Sequence, residues 1–178
     1  LRDEVAHLSE RYGYQQSRYL SAEEVAERTS AQGCYGGTID TGARHLHPLK
    51  YALGLASAAE SMGAQIFEQS RVITYRDGET MRVITSEGIV RCRYVVLACN
   101  GYLEKLEPRI AGNIMPINNF MIATAPLAPA LCDQINRDRT SISDSLFVIN
   151  YWKLSADNRL LFGGGENYTS RFPRDIKN

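Results

Sequence analysis

The chain has 178 residues, 44% of them hydrophobic and 22% charged, which is about one domain's worth with a real core and too apolar for a disordered tail. Lys plus Arg and Asp plus Glu balance at 20 each, so the chain lacks the excess positive potential that binding nucleic acid or an anionic membrane surface requires. Apolar runs such as Val95-Val96-Leu97-Ala98-Cys99 fall far short of the roughly 20 residues of a membrane-spanning helix. Cys34, Cys92, Cys99 and Cys132 show neither a CxxC pair nor a regular framework, the pattern of reduced thiols in a cytoplasmic protein. Leu1-Arg2-Asp3-Glu4 offers no Met and no basic, apolar leader, and the chain reads as an internal fragment cut at both ends.

Val5, Leu8 and Tyr12 recur at helical spacing and predict an amphipathic helix that closes at Gly13. Ser21-Ala22-Glu23-Glu24 is a capping-box pattern and starts the next helix. Gln32 to Gly42 is glycine-rich around Cys34 and Tyr35, and fits a loop with a short strand or a close approach. Pro48 to Met62 predicts a firm helix, with Leu49, Ala52, Leu53, Ala56, Ala59 and Met62 on one stripe suited to packing on a sheet and Gly63 beyond its last turn. Ala64 to Phe67 then reads as a strand.

Three strands follow, at Val72–Tyr75, Met81–Thr85 and Ile89–Cys92. Turns at Asp77-Gly78 and Glu87-Gly88 join them into an antiparallel meander. Tyr94 to Ala98 is almost continuously apolar, as a strand buried on both faces of a parallel sheet should be. Further on, Ile117 to Thr124 predicts a strand and Pro129 to Ile135 a short helix. Phe147–Leu154 and Arg159–Phe162 predict a hairpin turning at Ala156-Asp157-Asn158. The fold class is α/β with α+β mixing: a meander, a mixed sheet and two interleaved lobes.

Ala98-Cys99-Asn100-Gly101 ends the buried strand, where ligands of open α/β sheets bind and small residues let them approach. Taken alone, the segment is better read as a tight strand-to-loop turn with a glycine for its positive φ. Its place after a helix, a glycine, a strand and a meander is the order used by two-lobed flavoproteins.

His45-Leu46-His47-Pro48-Leu49-Lys50, Gly63-Ala64 with Val72 behind it, Tyr94 through Leu103, and Leu154 through Gly165 together resemble the D-amino-acid-oxidase-like FAD-dependent oxidoreductases. Within that family the chain is most similar to the gamma-glutamylputrescine oxidases. The resemblance implies FAD as cofactor, a small-molecule amine or amino acid as substrate, and oxidation of its C–N bond by hydride transfer to the flavin. It implies that 1–44 and 111–178 belong to a substrate lobe and 45–110 to the middle of a FAD lobe. It puts the backbone of Val72 near the adenine side of FAD and Ala98, Cys99, Asn100 and Gly101 along the cofactor. Tyr151 and Trp152 would wall the substrate side, with Gly163, Gly164 and Gly165 permitting close approach; core packing and a hairpin-end turn are the alternative readings of these two sets. The resemblance singles out no catalytic residue, since the flavin and its alignment carry most of the chemistry.

The family's GxGxxG, whose glycines and helix N-terminus receive the pyrophosphate, does not occur in this chain. The isolated fragment is therefore expected to hold FAD weakly or not at all, and to self-associate through exposed sheet edges and apolar faces. A zinc site at Cys34, His45 and His47 is one ligand short, and a Cys–His nucleophilic pair lacks an orienting carboxylate. No metal is expected. A non-catalytic α+β binding module accounts for the element pattern but not for the ordered motifs.

Overall fold

The computed structural model describes residues 1–115 and 117–167, which divide into two compact units. One is built from Leu1–His47 together with Asn119–Asn167; the other is the continuous stretch Pro48–Asn118.

In the first unit, α1 (Arg2–Tyr12) ends where Gly13 adopts the left-handed conformation (φ 63°), its N–H reaching back to the carbonyls of Leu8 and Ser9. β1 (Ser17–Leu20) leads into α2 (Ala22–Arg28). The expected capping box is complete: the Ser21 hydroxyl accepts from the Glu24 N–H and the Glu24 carboxylate accepts from the Ser21 N–H. β2 (Gly37–Asp40) pairs antiparallel with β1.

The chain then passes into the second unit. α3 (Pro48–Ser61) occupies the expected span and Gly63 (φ 91°) follows its end. Its apolar stripe is not covered, however. Only Ala56 and Ala59 are half-buried, and Leu49, Leu53 and Met62 face outward, because among the described residues no sheet packs on this helix.

Ala64 to Phe67 is not a strand, since a strand needs a hydrogen-bonded neighbour and these residues have none among those described. The meander forms as expected, with β3 (Val72–Arg76), β4 (Met81–Thr85) and β5 (Ile89–Cys92) antiparallel in the order 3-4-5. One irregularity interrupts it. Val72 faces Thr85 while Thr74 faces Ile84, so Ile73 is an extra residue in β3.

Tyr94 to Ala98 departs most from expectation. It joins no sheet, and exposure alternates along it: Val95 and Leu97 are half-buried while Tyr94 and Val96 are 83% and 86% exposed. It is an extended segment covered on one side only, where a strand buried on both faces was expected. A 3-10 turn at Asn100–Leu103 and the short α4 (Pro108–Ala111) complete this unit.

β6 (Asn118–Ala123) begins the return to the first unit, followed by α5 (Pro129–Ile135) with Pro at its first position. β7 (Ile142–Ser143), β8 (Tyr151–Leu154) and β9 (Leu160–Asn167) join β6 in a four-stranded sheet of order 6-9-8-7. The β8–β9 hairpin turns through the expected residues, with Asn158 left-handed at φ 64°. β9 runs further than expected, so Gly163, Gly164 and Gly165 lie inside the strand and not at its end. Residues 168–178 of the expected third segment lie outside the described residues.

Two distant stretches of sequence are sewn together in this unit. Thr29 bridges Asn136, its hydroxyl donates to the Ile135 carbonyl at 2.9 Å, and Arg28 pairs with Asp138. Asn136, almost fully buried, spends its amide on Thr140: Nδ2 donates to the carbonyl (2.6 Å) and Oδ1 accepts from the N–H (3.1 Å).

Candidate functional site

In the second unit a hollow of about 1010 Å³ opens between the start of β3 and the segment from Val95 to Leu106. Val72, Ile73 and Tyr75 form one wall; Val95, Leu97, Cys99 and Gly101 through Leu106 form the other. Strand alternation explains the first wall. Tyr75, Val83 and Cys92 share one face of the meander, and the arginines Arg76, Arg82 and Arg91 share the opposite one. The bulge at Ile73 lies in this wall, where it leaves backbone groups outside the regular ladder.

Of the five residues that the family resemblance assigns to cofactor, the hollow thus brings together Val72, Cys99 and Gly101. Asn100 and Cys99 line a smaller adjoining recess of about 260 Å³, with Leu97, Leu103, Ile110 and Ile114. Ala98 is exposed and lines neither. Asn100 is left-handed (φ 49°), and its side chain accepts from the Gly101 N–H at 2.8 Å. A Cβ on Gly101 would meet nothing within 4 Å, so open space lies before this backbone.

Two polar ties join the walls. The Arg71 guanidinium meets the Glu104 carboxylate at 2.5 Å, and the Tyr75 hydroxyl donates to Glu107 at 2.5 Å. Glu107 is buried, and it also accepts from the Arg109 side chain (3.0 Å) and the Arg109 N–H (3.1 Å), which caps α4. Arg109 first, then the Tyr75 hydroxyl, pull the Glu107 carboxyl down from 4.5 to about 2. The phenol of Tyr75 is correspondingly raised by that carboxylate. Periodicity gives no sign of these ties, because their partners stand 33 and 32 residues apart. Only the capping role of Glu107, directly before Pro108, was open to a local reading.

The residues expected on the substrate side, Tyr151, Trp152 and Gly163 to Gly165, lie on the four-stranded sheet of the first unit. Tyr151 and Trp152 are consecutive in β8 and so point to opposite faces. Trp152 stacks on Phe162, its cross-strand partner, at 6.1 Å between ring centroids. Tyr151 faces Gly163, and its hydroxyl donates to Asn119 Oδ1. Gly164 lies against Asn150, whose amide donates to Asp144 at 2.7 Å; that bond holds the Asp144 carboxyl below its usual range.

His45 contacts the Arg139 carbonyl through Nε2 (3.1 Å), and Lys153 donates to the Leu46 carbonyl at 2.8 Å. Among the described residues there is no cluster of three or more potential metal ligands. Nor is any helix long and apolar enough to cross a membrane.

Helices with antiparallel sheets and a meander form a fold shared with a solved flavoprotein oxidase. The crystal structure of glycine oxidase from Geobacillus kaustophilus shares that fold, with a TM-score of 0.69 at 21% identity over 93% of this chain and 44% of that one. The chain belongs to the FAD dependent oxidoreductase family, whose model matches residues 1–177. It is 37% identical to a probable oxidoreductase OrdL of Rhizobium meliloti (strain 1021), over 98% of this chain and 41% of the relative. It is 34% identical to the gamma-glutamylputrescine oxidoreductase of Escherichia coli (strain K12), over 94% of this chain and 40% of the relative. The chain therefore spans about two-fifths of the length of these relatives.

Proposed function

We propose that this chain forms part of a flavoenzyme that oxidises the C–N bond of an amine or amino acid, with 45–110 in its FAD lobe and 1–44 and 111–178 in its substrate lobe. The observation that carries the reading is the hollow in which Val72, Cys99 and Gly101 converge, in a chain matched by the family over 1–177. Its size suits a dinucleotide half-site, and its bulged strand and open Gly101 backbone offer main-chain groups to such a ligand.

Val72 contributes backbone at the adenine side, and Ala98, Cys99, Asn100 and Gly101 run along the cofactor. FAD, when bound, supplies the hydride acceptor. Tyr151, its ring packed on Gly163, walls the substrate side, while Trp152 holds the strand from its other face by stacking on Phe162. Gamma-glutamylputrescine is the first substrate to test, given the name of the Escherichia coli relative. The unpaired cysteines agree with a cytoplasmic setting, and exposed apolar residues such as Met62, Tyr94 and Val96 favour self-association of the isolated chain.

The test is to express the longest natural chain containing these residues beside the 178-residue chain and record their visible absorption. Flavin bands in the longer chain that bleach anaerobically with gamma-glutamylputrescine, another polyamine derivative or an amino acid support the reading. A colourless longer chain that takes up no FAD overturns it.

A further inference from the structure

The wall of the hollow from Asn100 to Glu107 has an unusual backbone. Asn100 and Glu104 both hold positive φ (49° each), a region where non-glycine residues persist only when their surroundings impose it. Two side chains of the opposite wall reach the second of these residues and its neighbourhood. Arg71, just before β3, pairs with Glu104 itself, and Tyr75 within β3 donates to Glu107, three residues on. The two ties bracket the bulge at Ile73 and leave the hollow between them.

Their chemistry differs. The Arg71–Glu104 pair is solvent-facing, with side chains 69% and 40% exposed, and is open to screening. The Tyr75–Glu107 bond is sheltered, and its acceptor is further fixed by Arg109 and by its place as the cap of α4. Of the residues in these ties only Glu107 is buried, and the buried apolar residue of this wall is Leu103.

We infer that Arg71, Tyr75, Glu104 and Glu107 are positioning residues that set the width of the hollow and hold the Asn100–Glu107 wall in its ligand-competent shape. The inference rests on the proposed flavin reading, and it adds residues that tie one wall of the hollow to the other, of which Arg71, Tyr75 and Glu104 also line it. Loss of either tie lets Glu104 relax to negative φ, and the competent fraction of the hollow falls, which weakens binding in proportion.

The experiment uses the longest natural chain, stripped of flavin and titrated with FAD by quenching of flavin fluorescence. Tyr75→Phe, which deletes one oxygen, and Arg71→Met are each expected to weaken FAD binding at least tenfold. The unfolding midpoint of the apoprotein should stay within a few degrees, and Arg71→Lys should restore most of the affinity. A merely structural contact would move the midpoint and gain nothing specific from the restored charge. Should Tyr75→Phe fail to fold, the exposed Arg71 pair carries the test alone. Parent protein that binds FAD while both variants bind it within twofold of parent overturns the positioning role. Parent protein that binds no FAD overturns the flavin reading itself, and the inference with it.

Discussion

The ring of Tyr151 lies across the β8–β9 pair on the backbone of Gly163, so close that a Cβ there would stand 2.2 Å from two of its ring carbons. No other residue leaves room for that ring, and Asn119 fixes its far end. Gly163→Ala is expected to displace the phenol and cost about 1–3 kcal/mol by urea denaturation, as overpacking does elsewhere. Adding Tyr151→Ala to it should recover much of that loss. Strict additivity of the two substitutions would show that they do not share one space.

Glu107 gives the second unit a defined response to acid. Its folded pKa, about 2, lies below its ordinary 4.5, so the unfolded chain takes up the proton first as pH falls. The stabilisation is therefore complete above about pH 4.5 and is lost as pH falls from there towards 2. Denaturation midpoints measured across that range should slope downward in the parent protein. The slope should be shallower in Glu107→Gln, which removes this titration.

On the face of the meander away from the hollow, Arg76 faces Arg82 and Arg82 faces Arg91. All three are exposed, and none forms an ion pair among the described residues. Like charges directly opposite one another repel, and the middle residue feels two neighbours. Arg82→Thr should stabilise the fold by about 0.2–1 kcal/mol for each pair relieved. The gain should shrink towards zero in 1 M salt, where the Debye length is about 3 Å; a gain insensitive to salt would point to strand propensity instead.

Gly54 sits in the interior of α3, and a Cβ on it would meet nothing within 4 Å. With no steric cost in the folded state, Gly54→Ala should raise the stability of the 178-residue chain by about 0.5–1 kcal/mol. Circular dichroism during thermal unfolding reads this directly. A loss in place of a gain would mean that another surface closes on this side of the helix.

Features that depend on neighbours in sequence were legible in advance. Asp77-Gly78 and Glu87-Gly88 announced the meander, Ser21 with Glu24 announced α2, and Pro129 opened α5 at the expected residue. Features that depend on distant partners were not. An apolar run such as Tyr94 to Ala98 says that a strand would be welcome, but pairing decides whether one forms. The register that sets Tyr151 over Gly163 and the ties from Tyr75 to Glu107 and Arg71 to Glu104 leave no local trace. Val72, Cys99 and Gly101, which the family resemblance assigns to the cofactor, line the hollow.

The bridge between Thr29 and Asn136 also bears on how the chain is made. Ribosomes add about 5–20 residues per second, and domains fold as units while they emerge. Among the described residues the second unit is drawn from Pro48–Asn118 alone. The first 47 residues must wait for Thr29 and Arg28 to meet their partners at Ile135, Asn136 and Asp138, more than a hundred residues later. During that interval α1, α2 and the β1–β2 pair have only local contacts, and a chaperone that shields nascent chains would find its clearest target there.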